Sequence, residues 1–384
     1  MRVLHVRNCR GIETLTGPET YLCDLAKYTS AEMKLAISMD PNRPCEIFAE
    51  SLRRVDADFD LLPVKSPFDR SDYKAIRAEL ETGDYDILFT HDYRSDAIGW
   101  ALRKKFDIPW IAFAHGWVNW DSVFSKDRLY AWIEVATVRR ADRIFVASSH
   151  MHQQLLERKF PADRISRANY GIDTERFQPL PAEPIREEFG IALDAPLVGI
   201  VGRLHPWKGH TFLLKAIADL VGEFPNLRLM IVGDAAFEAH GDFRQELVDE
   251  VAELGLNDHV IFTGSRSDIP EIMSALDIFA IPSLVEPFGI VSIEAQACGT
   301  PVVGAKVGGI PETMAEGETG LLVPPKDADA LRDSIGVLLR DPDKRRKMGE
   351  GAHDFVEKNY SAPAMAKKTD ELYADVLAAH SQLD

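Results

Sequence analysis

Short apolar runs alternate with amphipathic stretches twice along this chain, and a proline-rich break separates the two series. The first series holds VLHV (3–6), KLAIS (34–38), YDILFTH (85–91), WIAFAH (110–115) and RIFVAS (143–148), with helical patterns over 18–28 and 149–159. The second holds LVGIVG (197–202), LRLMIVG (227–233), VIFTG (260–264), DIFAIPS (277–283) and PVVGA (301–305), with helical patterns over 210–224 and 242–255. Runs this continuous read as strands buried on both faces, and strands joined by helices run parallel. The pattern therefore predicts an α/β chain of two doubly wound, Rossmann-like parallel-sheet domains. The break, FQPLPAEP (177–184), carries Pro179, Pro181 and Pro184, the chemistry of a linker. The expected boundaries are a first domain over 1–176, a linker over 177–190, a second domain over 191–360 and a terminal helix over 361–384. Met365, Leu372, Tyr373, Val376 and Leu377 give that helix its apolar positions. Ligands of open parallel sheets lie beyond the carboxyl ends of the strands, so the site is expected in a cleft across which the two domains face.

The formal net charge of −17 argues against a nucleic-acid partner. It is unevenly placed. Residues 1–180 hold 26 Lys and Arg against 27 Asp and Glu, and the remainder holds 18 against 34, or −1 and −16. Any cations that bind an anion in the second half must therefore be concentrated locally. Cys9, Cys23, Cys45 and Cys298 show neither metal-ligand spacing nor a disulfide framework and read as free thiols. No leader pattern opens the sequence, and no apolar run approaches the ~20 residues of a membrane span. A cytoplasmic protein is expected, at most peripheral at the inner face of a membrane. Basic clusters at Arg103–Lys105 and Arg139–Arg140 mark the face such contact would use, while SLRRVDADF reads as a solvated surface.

Two strings in the second half carry the chemistry. GRLHPWKG (202–209) sets Arg203 and Lys208 between a strand and a helix, framed by Gly202 and Gly209. Arginine offers a bidentate fork to a phosphate and lysine a mobile point charge, and preorganised cations stabilise a departing diphosphate. EPFGIVSIE (286–294) places Glu286 before a turn and starts a helix at Phe288–Gly289, with Ile290 following and Glu294 within the first two turns. A helix start turns free N–H groups toward an anion. The Glu294 carboxylate can accept from both hydroxyls of a ribose diol, and Glu286 is placed to reach a sugar. Helix capping accounts for one such glutamate better than for two. His115 ends the WIAFAH strand before Gly116, where a ligand of the sheet would sit. Trp117 and Trp120 follow in a loop and are candidates to stack on an acceptor. The pairs Asp56–Asp58, Asp84–Asp86, Asp327–Asp329 and Asp341–Asp343 fall in turns or at helix starts, where Asp is locally favoured, and no metal site is assigned.

In order and spacing, the Gly17 loop (TGPE), His115, GRL…KG, EPFGIVSIE, VGGIPE (307–312) and TGLLVPP (319–325) resemble the retaining glycosyltransferases of family 4, which have the GT-B fold. The resemblance implies a metal-independent, retaining glycosyltransferase without a cofactor. It would move a sugar from a nucleoside-diphosphate sugar, by family frequency a uridine one, to a sugar, lipid-linked or small-molecule acceptor. It implies that Arg203 and Lys208 stabilise the leaving diphosphate, Glu286 and His115 orient the donor sugar, and Glu294 holds the ribose. Gly17 would lie under the diphosphate, and the last helix would cross back onto the first domain. Two departures from the family pattern stand out. Thr16 and Pro18 flank Gly17 where a second glycine is usual, and Tyr170 stands in YGID where asparagine is usual. YGID is read as a connecting turn without a catalytic role. A GDP-mannose-dependent mannosyltransferase, a GT-B epimerase or phosphorylase, and a non-catalytic nucleotide-sugar-binding protein are the alternatives.

Overall fold

The computed structural model describes residues 1–9, 15–43, 45–66, 68–116, 135–234 and 243–382. The chain divides into two compact units, Met1–Gly171 with Ala362–Asp384, and Ile172–Ser361.

The first unit is built on seven parallel strands: β1 (Arg2–Asn8), β2 (Glu32–Met39), β3 (Asp58–Pro63), β4 (Ile87–Thr90), β5 (Trp110–Ala114), β6 (Arg143–Val146) and β7 (Ile165–Arg167). Their order is β3-β2-β1-β4-β5-β6-β7, so the winding reverses between β1 and β4. One sheet face buries Leu4, Val6, Leu88, Trp110 and Ile144 against Ile76, Leu80, Ile98 and Leu102 of the covering helices. The other face is aromatic. Phe89, Phe113 and Phe145 are buried there, with Tyr21 edge-on to Phe113 at 5.1 Å and Tyr373 edge-on to Phe89 at 5.9 Å. Tyr373 belongs to the last helix, Ala362–His380, which packs on the helix Gly17–Tyr28. Asp370 of the last helix accepts from Ser30 N at 2.8 Å and from Thr29 Oγ1 at 2.5 Å.

The second unit has six parallel strands: β8 (Leu197–Val201), β9 (Arg228–Val232), β10 (Val260–Gly264), β11 (Ile278–Ile281), β12 (Val302–Ala305) and β13 (Gly320–Val323). Their order is β10-β9-β8-β11-β12-β13, with the reversal between β8 and β11. Both sheets are Rossmann-like. The proline-rich stretch carries a short helix, Glu183–Glu188, docked into this unit by a buried cation. Arg186 donates to Ala195 O at 2.8 Å and to Ala275 O at 3.0 Å, and it pairs with Asp277 at 2.9 Å.

Several elements went unread in the sequence. SLRRVDADF is not one solvated surface. It ends the helix Glu46–Arg54 and enters β3, an edge strand with no buried position. The strand β13, inside TGLLVPP, adds an edge beyond PVVGA. No helix among the described residues is long and apolar enough to cross a membrane.

The Asp277 carboxylate is the main counter-charge of Arg186. Removing one partner of a buried pair leaves an uncompensated charge and costs about 3–5 kcal/mol. Asp277→Ala should lower the urea midpoint of the second unit accordingly, measured by tryptophan fluorescence.

Candidate functional site

The carboxyl edge of the second sheet, at its reversal point, brings the two motif strings together. β8 runs into Gly202 and then Arg203, which is exposed and makes no hydrogen bond or ion pair among the described residues. A short turn, Pro206–Lys208, follows, with His205 Nδ1 accepting from Trp207 N at 3.1 Å. Gly209 has φ +73° and opens the helix His210–Leu220. A Cβ on Gly209 would stand 2.1 Å from Pro282 O, so only glycine lets this loop rest against the loop after β11. Leu284 N donates to Trp207 O at 2.6 Å across the same contact. The side chains then meet: Lys208 Nζ lies 2.7 Å from Glu286 Oε2, with both groups partly buried.

Glu286 is held from behind by the VGGIPE turn. Gly309 N donates to Glu286 O at 3.0 Å, and a Cβ on Gly308, φ +54°, would fall 1.7 Å from that oxygen. The two glycines of that string are thus demanded by close approach to Glu286 and Phe288. Phe288 is buried, edge-on to Tyr360 at 5.9 Å, and anchors the turn. Gly289 takes φ +100° as the cap residue of the helix Ile290–Ala297, and no side chain caps that start. Ser292 N donates back to Gly289 O at 2.9 Å, and the N–H groups of half-buried Ile290 and of Val291 have no acceptor among the described residues. Glu294 sits on the second turn and is buried. Burial pushes its carboxyl up to about 7, with the Arg176 charge opposing the shift.

In the first unit, His115 follows β5 and is half-buried, and both of its ring nitrogens have protein partners. His115 Nδ1 lies 2.6 Å from Tyr170 Oη, and His115 Nε2 lies 3.0 Å from His91 Nδ1. Burial, and secondarily the Arg7 charge, hold His115 well below the ordinary histidine value. His91, which follows β4, went unnoticed, although it occupies the same strand-tip position as His115 and the same reasoning would have found it. Arg7 donates to His91 O at 2.7 Å and pairs with buried Glu19, also at 2.7 Å. Glu19 also receives Thr16 N at 3.2 Å, closing a capping box across TGPE. Gly17 is the first residue of that helix, outside the left-handed region. Trp117 and Trp120 lie outside the described residues.

The remaining candidates have local partners. Asp327 and Asp341 cap helices, accepting from Ala330 N and Lys344 N at 2.9 Å each, and Asp86 accepts from Arg2 N at 2.7 Å. In the basic clusters, Lys105 pairs with Glu81 at 2.8 Å, Arg103 pairs with Asp142, and Arg140 stacks over Trp100 at 5.3 Å.

Comparison with known proteins identifies the family and the fold. The family described as Glycosyltransferase Family 4 matches residues 15–176, and that described as Glycosyl transferases group 1 matches residues 181–355. The D-inositol 3-phosphate glycosyltransferase of Corynebacterium glutamicum strain R is 36% identical over 309 residues, 77% of this chain and 73% of that protein. The protein of the same name from Saccharomonospora viridis is 31% identical over 313 residues, 78% of this chain and 72% of the other. Among solved structures, Anabaena HepE in complex with UDP superposes with a TM-score of 0.84 at 24% identity, covering 98% of this chain and all of that one. Sucrose-phosphate synthase from Thermosynechococcus elongatus gives 0.81 at 25% identity, covering 99% of this chain and 100% of the other. With both halves matched and the fold shared, the chain belongs to the family 4, group 1 glycosyltransferases and is a transferase enzyme of GT-B fold.

Proposed function

We propose that the protein is a retaining, metal-independent glycosyltransferase that takes its sugar from a nucleoside-diphosphate sugar, a uridine one, and gives it to a hydroxyl of a sugar, lipid-linked or small-molecule acceptor. The observation that carries this reading is the nesting of the loops after β8 and β11. It sets Arg203, unpaired among the described residues, the Lys208–Glu286 pair and a helix start without a side-chain cap on one edge of one sheet. Cations and open N–H groups suit a diphosphate, and the carboxylates beside them suit hydroxyls. Two similarities support the nucleotide and the class of acceptor. HepE, which shares the fold, was solved with UDP, and the curated relatives are named for a phosphorylated polyol.

In the proposed mechanism the acceptor hydroxyl attacks the anomeric carbon on the face from which the diphosphate leaves. The new C–O bond forms as the bond to the β-phosphate oxygen breaks, and the acceptor's proton passes to a phosphate oxygen. Arg203 and Lys208 stabilise the charge that develops on the leaving group. Glu286 binds the transferred sugar and Glu294 the ribose diol, both in the second unit. The first unit supplies acceptor binding, and His115 is its contribution to the donor sugar.

Arg203→Ala and Lys208→Ala should each lower kcat by about 10²–10³, the size expected for one preorganised charge contact, with circular dichroism unchanged. Normal turnover in both variants would remove them from the mechanism.

Donor turnover should survive excess EDTA. Loss of activity that Mg²⁺ or Mn²⁺ restores would overturn the metal-independent reading.

Glu294 makes the apo protein sensitive to pH. Its carboxyl titrates at about 7 in the fold, above the usual carboxylate range, because of burial. The folded state therefore binds more protons than the unfolded one between the two values, and stability falls as pH rises through that window, levelling above about 7. A ribose diol requires the ionised acceptor, so UDP affinity should rise with pH up to the same value, with proton release on binding. Calorimetry in buffers of different ionisation enthalpy reads this directly, and Glu294→Gln should bind weakly with a flat profile.

A further inference from the structure

Behind the site edge of the second unit lie three polar side chains that are fully buried. Ser292 and Gln296 sit one turn apart on the helix Ile290–Ala297, and Thr313 closes the short turn Ile310–Glu312. Thr313 Oγ1 lies 2.8 Å from Ser292 Oγ and 2.8 Å from Ile310 O. Gln296 Nε2 lies 2.6 Å from Thr313 O and 3.1 Å from both Ser292 Oγ and Ser292 O. The two carbonyl oxygens can only accept, so Gln296 meets them with its NH2 group, and that fixes the orientation of the amide.

The turn that these bonds reach is the one that holds Glu286. Gly309 N donates to Glu286 O, Glu312 N to Gly309 O at 2.9 Å and Thr313 N to Ile310 O at 3.0 Å. Residues 309–313 thus form one braced piece. Tyr360 adds a further point of support, with its hydroxyl donating to Glu312 O and its ring edge-on to Phe288. The piece clasps the EPFGIVSIE string at two places, at Glu286 before the Pro287–Phe288–Gly289 turn and at Ser292 and Gln296 after it. Between the two grips, Gly289 is in the left-handed region and the helix start has no side-chain cap. Phe288 is held there by packing, which has no direction of its own. Hydrogen bonds do have direction, and those of the trio set the helix against Glu286.

We propose that Ser292, Gln296 and Thr313 are positioning residues that fix the helix carrying Glu294, and the open N–H groups of Ile290 and Val291, relative to Glu286. With no exposed surface, the three act only through the groups they hold. The consequence for binding rests on the donor-site reading of this edge proposed above; the clasp itself does not.

The test uses the full-length protein. Thr313→Val keeps the branched shape and removes the hydroxyl, and Thr313→Ser keeps the hydroxyl. Hydrogen–deuterium exchange read by mass spectrometry should be about tenfold faster in Thr313→Val over 286–297 and 305–314, and unchanged in the first unit. UDP affinity, measured by calorimetry well below the melting transition, should fall about tenfold in Thr313→Val and recover in Thr313→Ser. Ser292→Ala should weaken binding in the same way, and adding it to Thr313→Val should cost little more, because the shared bond is already gone. If Thr313→Val fails to fold, Ser292→Ala and Gln296→Met carry both readouts. Unchanged exchange in the folded variants overturns the clasp. Faster exchange with unaltered UDP affinity marks bonds that serve stability alone and overturns the positioning role. A wild type that binds no UDP, with exchange altered as expected, leaves the clasp standing and removes the donor reading instead.

Discussion

Every strand of a parallel sheet ends at the same edge, and in each unit of this protein the winding reverses once along that edge. Loops on the two sides of the reversal then have no helix between them and can meet. In the second unit they are the loops after β8 and β11, and Lys208 meets Glu286 across 78 positions of sequence. The nesting is tight enough to dictate residue type. Gly209 faces Pro282 O, and Gly308 faces Glu286 O, at distances no Cβ could occupy. Gly209 and Gly308 are conditions for bringing the charged side chains within reach of each other, and the left-handed φ of both is part of the same demand.

That geometry also explains how a strongly acidic half can serve an anionic ligand. The charge of −16 is distributed over a surface, where fields decay within a Debye length of about 8 Å at physiological salt. What a phosphate meets at contact is different. The Glu286 charge is paired with Lys208, and Glu294 is buried with its carboxyl raised to about 7, so a large fraction of it is protonated near neutrality. Arg203 is exposed and has no side-chain partner among the described residues. That edge is therefore less negative at contact than its composition suggests.

The central strands and the second-unit strings were legible in the sequence, because a long apolar run or a contiguous motif states its own context. Edge elements were not. β3 opens with alternating charged and apolar residues and has no position buried, and β13 is four residues that start at Gly320 and end before a proline pair. Gly17 was tied by resemblance to a diphosphate loop, and what the structure displays around it is the Thr16–Glu19 capping box. The histidine chain was illegible for a different reason. The hydrogen-bonded series Tyr373–His5–His91–His115–Tyr170 is scattered along the sequence, and of its histidines only His115 stands out there, as a strand-tip candidate. Even Tyr170, visible as a departure from the family pattern, gave no hint of a partner until the strand order placed it beside His115.

The position of the last helix ties this second kind of site to the order of the chain. The first unit is discontinuous: Met1–Gly171 is completed only by Ala362–Asp384, after the whole of the second unit has been traversed. The aromatic face of its sheet, with Phe89 and Phe145 against Tyr373, stays open until that segment docks. Docking of the last helix therefore completes a buried contact between residues at opposite ends of the sequence, with Tyr373 Oη 3.3 Å from His5 Nε2 on the first strand.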